Sequence, residues 1–219
     1  MKKAPAEVVH GIVLSALAYA GIFYLNDLLT SGLSYGLGVN WIYLPAGLRL
    51  FLTLIFGLPG AIGISLASFL ICYFGEFPPE LVTCIGVGLI SGFAPYLAKI
   101  FVLTNIKISP EFPPELITCI GVGLISGFAP YLAKIFVLTN IKISPDLSDL
   151  SFPKLTICIL IYAALSAGLH QWWFAIRGLE NAGVFNHFLV MFIGDVLGTV
   201  LLIGIIKLGL NYLKSAKAS

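Results

Sequence analysis

The sequence predicts an all-α, polytopic transmembrane helical bundle, and three observations carry that expectation. Of its 219 residues, 59% are hydrophobic and 10% charged, with a mean hydropathy of +1.03, whereas a soluble domain carries about 25% charged residues. Apolar runs recur from one end to the other, so a single membrane domain, 1–219, accounts for the whole chain. One run occurs twice: the string Glu76–Pro110 returns at Glu111–Pro145, with Val82 against Ile117 as the only difference. Each copy carries an uninterrupted apolar stretch, Leu81–Leu103 and Leu116–Leu138. About 20 such residues, rising 1.5 Å each, cross a hydrocarbon core of about 30 Å. The tandem repeat 76–110 and 111–145 is therefore one membrane crossing and its connector, written twice. Copies this alike point to a very recent or an engineered duplication.

Composition also excludes function classes. A formal net charge of +2 gives no footprint for nucleic acid. The opening MKKAPAEVVHGIVLSALAYA has the basic start and apolar stretch of a signal peptide, but the apolar part continues to about Leu25 and reads as a retained span. The cysteines Cys72, Cys84, Cys119 and Cys158 all lie in apolar runs and form no CxxC pair, which reads as buried, inert thiols. No nucleophile–base set, paired carboxylates or HExxH motif occurs. An enzyme, a cofactor and a metal centre are not expected.

In chain order, the first span is Val8–Leu25, closed by Asn26 and Asp27 and followed by an uncharged Gly/Ser-rich loop, Ser31–Asn40. Trp41–Gly57 follows as a short span that opens on Leu44-Pro45-Ala46-Gly47 and contains Arg49. The Pro59-Gly60 turn begins Leu58–Phe74, which is dotted with small residues that let helices approach closely in lipid. The two copies come next, each with an internal proline (Pro95, Pro130) expected to kink the helix. Lys154–Ile176 and Val184–Leu210 complete a set of seven apolar helices.

Lysine and arginine concentrate in cytoplasmic loops. With one copy removed, six spans remain. Lys2, Lys3, Lys154 and the tail lysines then fall on one side, and the Ser31–Asn40 loop and Glu76–Glu80 segment on the other. Only Arg177 dissents. A second copy that crosses would carry Lys142, Lys154 and the tail to the outside, in conflict with the charge pattern. The expectation is a six-span parent with one duplicated span. Both copies are expected to cross, because each is apolar for its full length; the alternatives are that one copy lies at the interface, or that each dips in and returns at its proline, preserving parity. The setting is a bacterial inner membrane with a cytoplasmic N-terminus.

Arg49 and Asp195 lie deep in their spans, and an intramembrane ionisable residue normally faces the interior and finds a partner. They are read as a candidate polar pair. Asp27, His170 and His187 form a candidate polar cluster on the outer face, although their spacing fits no metal motif and interfacial anchoring explains the histidines as well. Lys99 and its copy Lys134 are expected to snorkel to the surface.

The LPAG of Leu44–Gly47 with its following LRLFLTLIFG, the PGAIGISLASFL from Pro59, and the GDVLG of Gly194–Gly198 occur in an order that resembles the membrane-associated sensor (MASE-type) domain. The resemblance covers less than a third of the chain. It implies a sensory input module and singles out Gly194, Asp195 and Gly198. That family has about eight spans and a cytoplasmic output domain, so a sensing role here implies a partner membrane or signalling protein. The leading expectation is a sensor-like, ligand-binding module in the lipid bilayer. The alternative is a small-solute transporter, or a substrate-binding subunit of the size found in energy-coupling-factor systems, with a polar cavity at Arg49 and Asp195 lined by broken helices.

Overall fold

In lipid every backbone N–H and C=O needs an internal partner, so long apolar runs fold as helices. A computed structural model describes residues 5–75, 80–105, 152–179 and 182–218. These hold six helices: α1 (Pro5–Thr30), α2 (Leu44–Phe56), α3 (Leu58–Phe74), α4 (Leu81–Asn105), α5 (Phe152–Ile176) and α6 (Phe185–Ala218). Four of them, α1, α4, α5 and α6, are long and apolar enough to cross a membrane. The second repeat copy, and with it Lys134, Pro130 and Cys119, lies outside the described residues.

The segment Trp41–Phe74, expected as a short span and a second span, forms two helices of less than membrane-crossing length. Helix α2 has 13 residues and α3 has 17, so α2 extends for only about 20 Å. The break between them is a single residue. Gly57 takes φ +67°, a left-handed conformation that ends α2, and Pro59 sits in the first turn of α3. The chain folds back there: a Cβ on Gly60 would lie 2.6 Å from the Leu52 carbonyl oxygen. Leu52 also shares a buried cluster with Ile64 and Ala67 of α3 and Tyr19 of α1. The two helices are thus a short antiparallel hairpin.

Contacts fix the direction of every helix. Early α1 meets the hairpin tip, with Gly11 against Pro59, and late α1 meets the start of α2, where the Leu44 amide donates to Asn26 Oδ1 at 2.9 Å. Lys99 in late α4 reaches the end of α2, whereas Thr83 in early α4 meets Trp173 in late α5 and Arg177 just beyond it. Successive helices therefore alternate between two ends. One end holds the α2–α3 tip and the two termini. The other holds a small antiparallel ribbon, Ser34–Gly36 (β1) paired with Val39–Asn40 (β2), between α1 and α2.

Helix α5 thus begins at the end where α4 finishes. The expectation that the duplicated span inverts the C-terminal half is not met by the described helices, which keep the parity of six alternating rods. The main core lies where α2, α4 and α5 meet, around Leu50, Ala98, Val102 and Tyr162. Helix α4 passes through Pro95 without interruption. Large apolar side chains such as Leu17, Leu66, Leu89 and Ile205 point outward from the helices, the surface that lipid would cover.

Candidate functional site

Arg49 is carried by the second turn of α2, on the face turned towards α1, and is 3% exposed. Its Nη2 donates to Tyr19 Oη at 2.6 Å and to Tyr43 Oη at 2.9 Å, and the two hydroxyls are 3.0 Å apart. The guanidinium carbon lies 5.1 Å from the Tyr19 ring centroid and 5.0 Å from that of Tyr43. Two aromatic faces and two hydroxyls therefore replace part of the water lost by a buried cation.

Asp195 is also buried, in α6. The two charges feel each other electrostatically, but Arg49 has no salt bridge to Asp195. Ser166 lies beside the Asp195 carboxylate and Tyr162 beside Arg49, although neither contact has full hydrogen-bond geometry. Both members of the candidate pair are thus buried and interact electrostatically without a salt bridge, tyrosines holding Arg49 and Ser166 flanking Asp195. Leaving buried polar atoms unmade costs about 1–3 kcal/mol each, and more for charged groups.

Arg49 and Tyr43 form the inner wall of a cavity of about 560 Å³ at the ribbon end. The ribbon, with Asn40, covers one side of it, and late α1, late α3, early α4, late α5 and early α6 supply the rest, including Ser68, Val87, His170 and Met191. A hydrogen-bonded chain runs along the wall. Ser68 Oγ donates to Ser91 Oγ at 2.8 Å, Ser91 Oγ lies 3.4 Å from His170 Nε2, and His170 Nδ1 lies 2.8 Å from the Ser166 carbonyl oxygen. A carbonyl only accepts, so Nδ1 carries a proton.

The predicted outer-face cluster is only partly assembled. Asp27 and His170 both line the cavity, the first exposed and the second buried. His187 does not line it; it stacks edge-on against Tyr35 at 5.0 Å and packs on Gly36, holding the ribbon to α6. No group of three or more His, Cys, Asp or Glu placed to hold a metal ion occurs among the described residues.

Gly194 and Gly198 act through packing. A Cβ on Gly194 would come within 2.0 Å of the Asn40 carbonyl oxygen, and one on Gly198 equally close to that of Tyr43. The Tyr43 amide donates to the Gly194 carbonyl at 3.1 Å. Gly47 of the LPAG stretch in turn meets Thr199 and Leu202 of α6. The GDVLG and LPAG stretches are therefore one contact, which sets Tyr43 over Arg49 and places Asp195 behind it.

Lys99 does not snorkel. Its Nζ donates to the Thr53 and Leu54 carbonyls at 3.1 and 2.8 Å, capping the last turn of α2 with a cation where the helix dipole favours one. The dissenting Arg177 is ion-paired with Glu80 and donates from Nε to Thr83 Oγ1 at 3.0 Å, tying late α5 to early α4. Tyr19, Tyr43, Tyr162 and Ser166 were not singled out by sequence reasoning. The available signal was three tyrosines within or beside apolar runs, where a hydroxyl needs a partner.

No family model, curated protein or solved structure matches this chain.

Proposed function

We propose that this chain is a membrane-embedded solute-binding module, and that its cavity takes a small polar solute carrying an acceptor group, such as a carboxylate, against Arg49. One observation carries this reading: a buried guanidinium, its Nη2 held by the Tyr19 and Tyr43 hydroxyls, lies in the wall of a cavity of about 560 Å³. A carboxylate is the acceptor whose charge and hydrogen-bonding capacity best match a guanidinium. In the membrane orientation we favour, the lysine-rich end faces the cytoplasm and the cavity opens outward, as for a receptor of extracytoplasmic solutes that signals through a partner. A second reading, solute transport, is favoured by the α2–α3 hairpin, since short helices broken near a polar site are a feature of transporters.

Thermal unfolding of the purified protein in nanodiscs, against a panel of small carboxylates and matched neutral amides, tests the binding reading. A carboxylate is expected to raise the melting temperature in proportion to log concentration, and Arg49→Gln is expected to abolish that rise. If no carboxylate stabilises the wild type, or if Arg49→Gln responds equally, the reading fails. Proteoliposomes loaded with buffer then separate the two roles, because only a transporter accumulates the stabilising solute.

A further inference from the structure

Two thiols expected to be inert meet at the ribbon end. Cys72, in the last turn of α3, and Cys84, in the first turn of α4, are buried, with their Sγ atoms 2.9 Å apart. That separation lies within about 1 Å of a covalent sulfur–sulfur bond. Cys158, by contrast, is buried in the main core between α4 and α5. Spacing along the chain gave no hint of the pair, because Cys72 and Cys84 sit on different helices on either side of a connector.

The site is also reachable. Cys72 lines the same cavity wall as Ser68, close to where the helices end, in a space that residues of the ribbon end also line. Phe174 and Val87 cover the other side of Cys84. On α5, Arg177 already clasps the first turn of α4 through Glu80 and Thr83. A covalent link from α3 would hold that turn from its other flank and fix the cavity wall.

We propose that Cys72 and Cys84 are a disulfide-forming pair, oxidised from the ribbon end by a dithiol–disulfide oxidant. The Cys72 thiolate attacks one sulfur of the oxidant's disulfide, giving a mixed disulfide and releasing the oxidant's first thiolate. The Cys84 sulfur then attacks Cys72 and releases the second. One S–S bond forms and one breaks. Two electrons and the two thiol protons finish on the oxidant, now a dithiol. If the ribbon end faces outward, as in the orientation favoured above, the pair lies on the side where disulfides persist. The bond itself does not depend on what the cavity binds.

Membranes containing the full chain are treated with oxidised glutathione, quenched with N-ethylmaleimide and digested for peptide mass mapping. The expected product is a Cys72 peptide linked to a Cys84 peptide and released by dithiothreitol. The repeat supplies an internal discriminator: the peptide holding Cys119 carries Ile117 where the first copy has Val82, and is one methylene heavier. Cys119→Ala is expected to leave the link intact, and Cys84→Ala to remove it. The oxidised protein should melt roughly 5 °C above the reduced one. Alkylation of all four cysteines without reduction overturns the proposal, and so does a Cys72–Cys119 link. If Cys84→Ala does not fold, peptide mapping of the wild type alone decides.

Discussion

A guanidinium withdrawn from water loses several kcal/mol of solvation unless its surroundings replace it. Around Arg49 the replacement is made by Tyr19 and Tyr43, each giving a hydroxyl and a ring face. Hydrogen bonds to charged groups are worth about 1.5–3 kcal/mol, so Tyr19→Phe is expected to lower stability by about that amount while keeping the ring contact. Thermal unfolding in detergent measures it, and a Phe variant as stable as wild type would show that the hydroxyl contributes nothing. Asp195 allows the complementary comparison. Asp195 has only a loose contact with Ser166 and no salt bridge, and Asn keeps its size, so Asp195→Asn is expected to cost under about 1 kcal/mol. Arg49→Gln is expected to cost about 3 kcal/mol. Equal losses would mean that the two charges act as a direct pair. That both residues matter was legible in the sequence, since an ionisable group inside an apolar run advertises itself. Their partners were not, because a tyrosine in such a run looks like any other large apolar residue until the helices are placed.

At the scale of the element, contacts between helices depend on what is missing from them. Gly198 lets α6 touch the backbone of Tyr43, and any side chain there collides with a carbonyl rather than with a movable group. Gly198→Ala is expected to destabilise by about 3 kcal/mol or more, since overpacking a tight contact displaces backbone. Gly204, one and a half turns further along the same helix, has nothing within 4 Å of its added Cβ, so Gly204→Ala is expected to be neutral or to stabilise by about 0.5–1 kcal/mol through helix propensity. Urea or thermal titration of the two variants side by side checks the contrast, and equal effects would remove the close contact from the account. Lys99→Met keeps the apolar stem and loses the cap on Thr53 and Leu54, for an expected cost of about 1 kcal/mol in the same titrations. An unchanged stability would show that Lys99 does not cap α2. The helices were legible from hydropathy, and the Pro59-Gly60 break from its dipeptide. What hydropathy did not reveal is that α2 begins only at Leu44 and is too short to cross, because a short apolar helix against the core and one that crosses lipid have the same composition. The Lys99 cap was hidden for a related reason: its target is the end of a helix whose boundary only the fold defines.

At the scale of the whole molecule, the question is which ends of the rods lie together. The sequence contained the conflict in plain form, an extra crossing against lysines placed for an even number, and length alone argued for letting both copies cross. The six described helices side with the lysines. Thr83 meets the end of α5, Ser91 meets His170 about two turns further in, and Lys99 caps the α2 end beside the hairpin tip, so α4 and α5 run antiparallel and α6 returns towards the end where α1 began. A single full crossing between α4 and α5 would reverse that sense. The prediction is therefore one of sidedness. In a cysteine-less background, Ala6→Cys and Ala216→Cys are expected to react with a membrane-impermeant maleimide from the same side, and Ser34→Cys in the ribbon only from the other. Right-side-out and inverted vesicles give the two exposures independently. Labelling of Ala216→Cys from the side that labels Ser34→Cys would mean that the duplicated run inverts the C-terminal half. The contacts binding Gly198 to Tyr43 and Thr83 to Arg177 would then fail with it, because each requires α5 and α6 to keep the directions they have here.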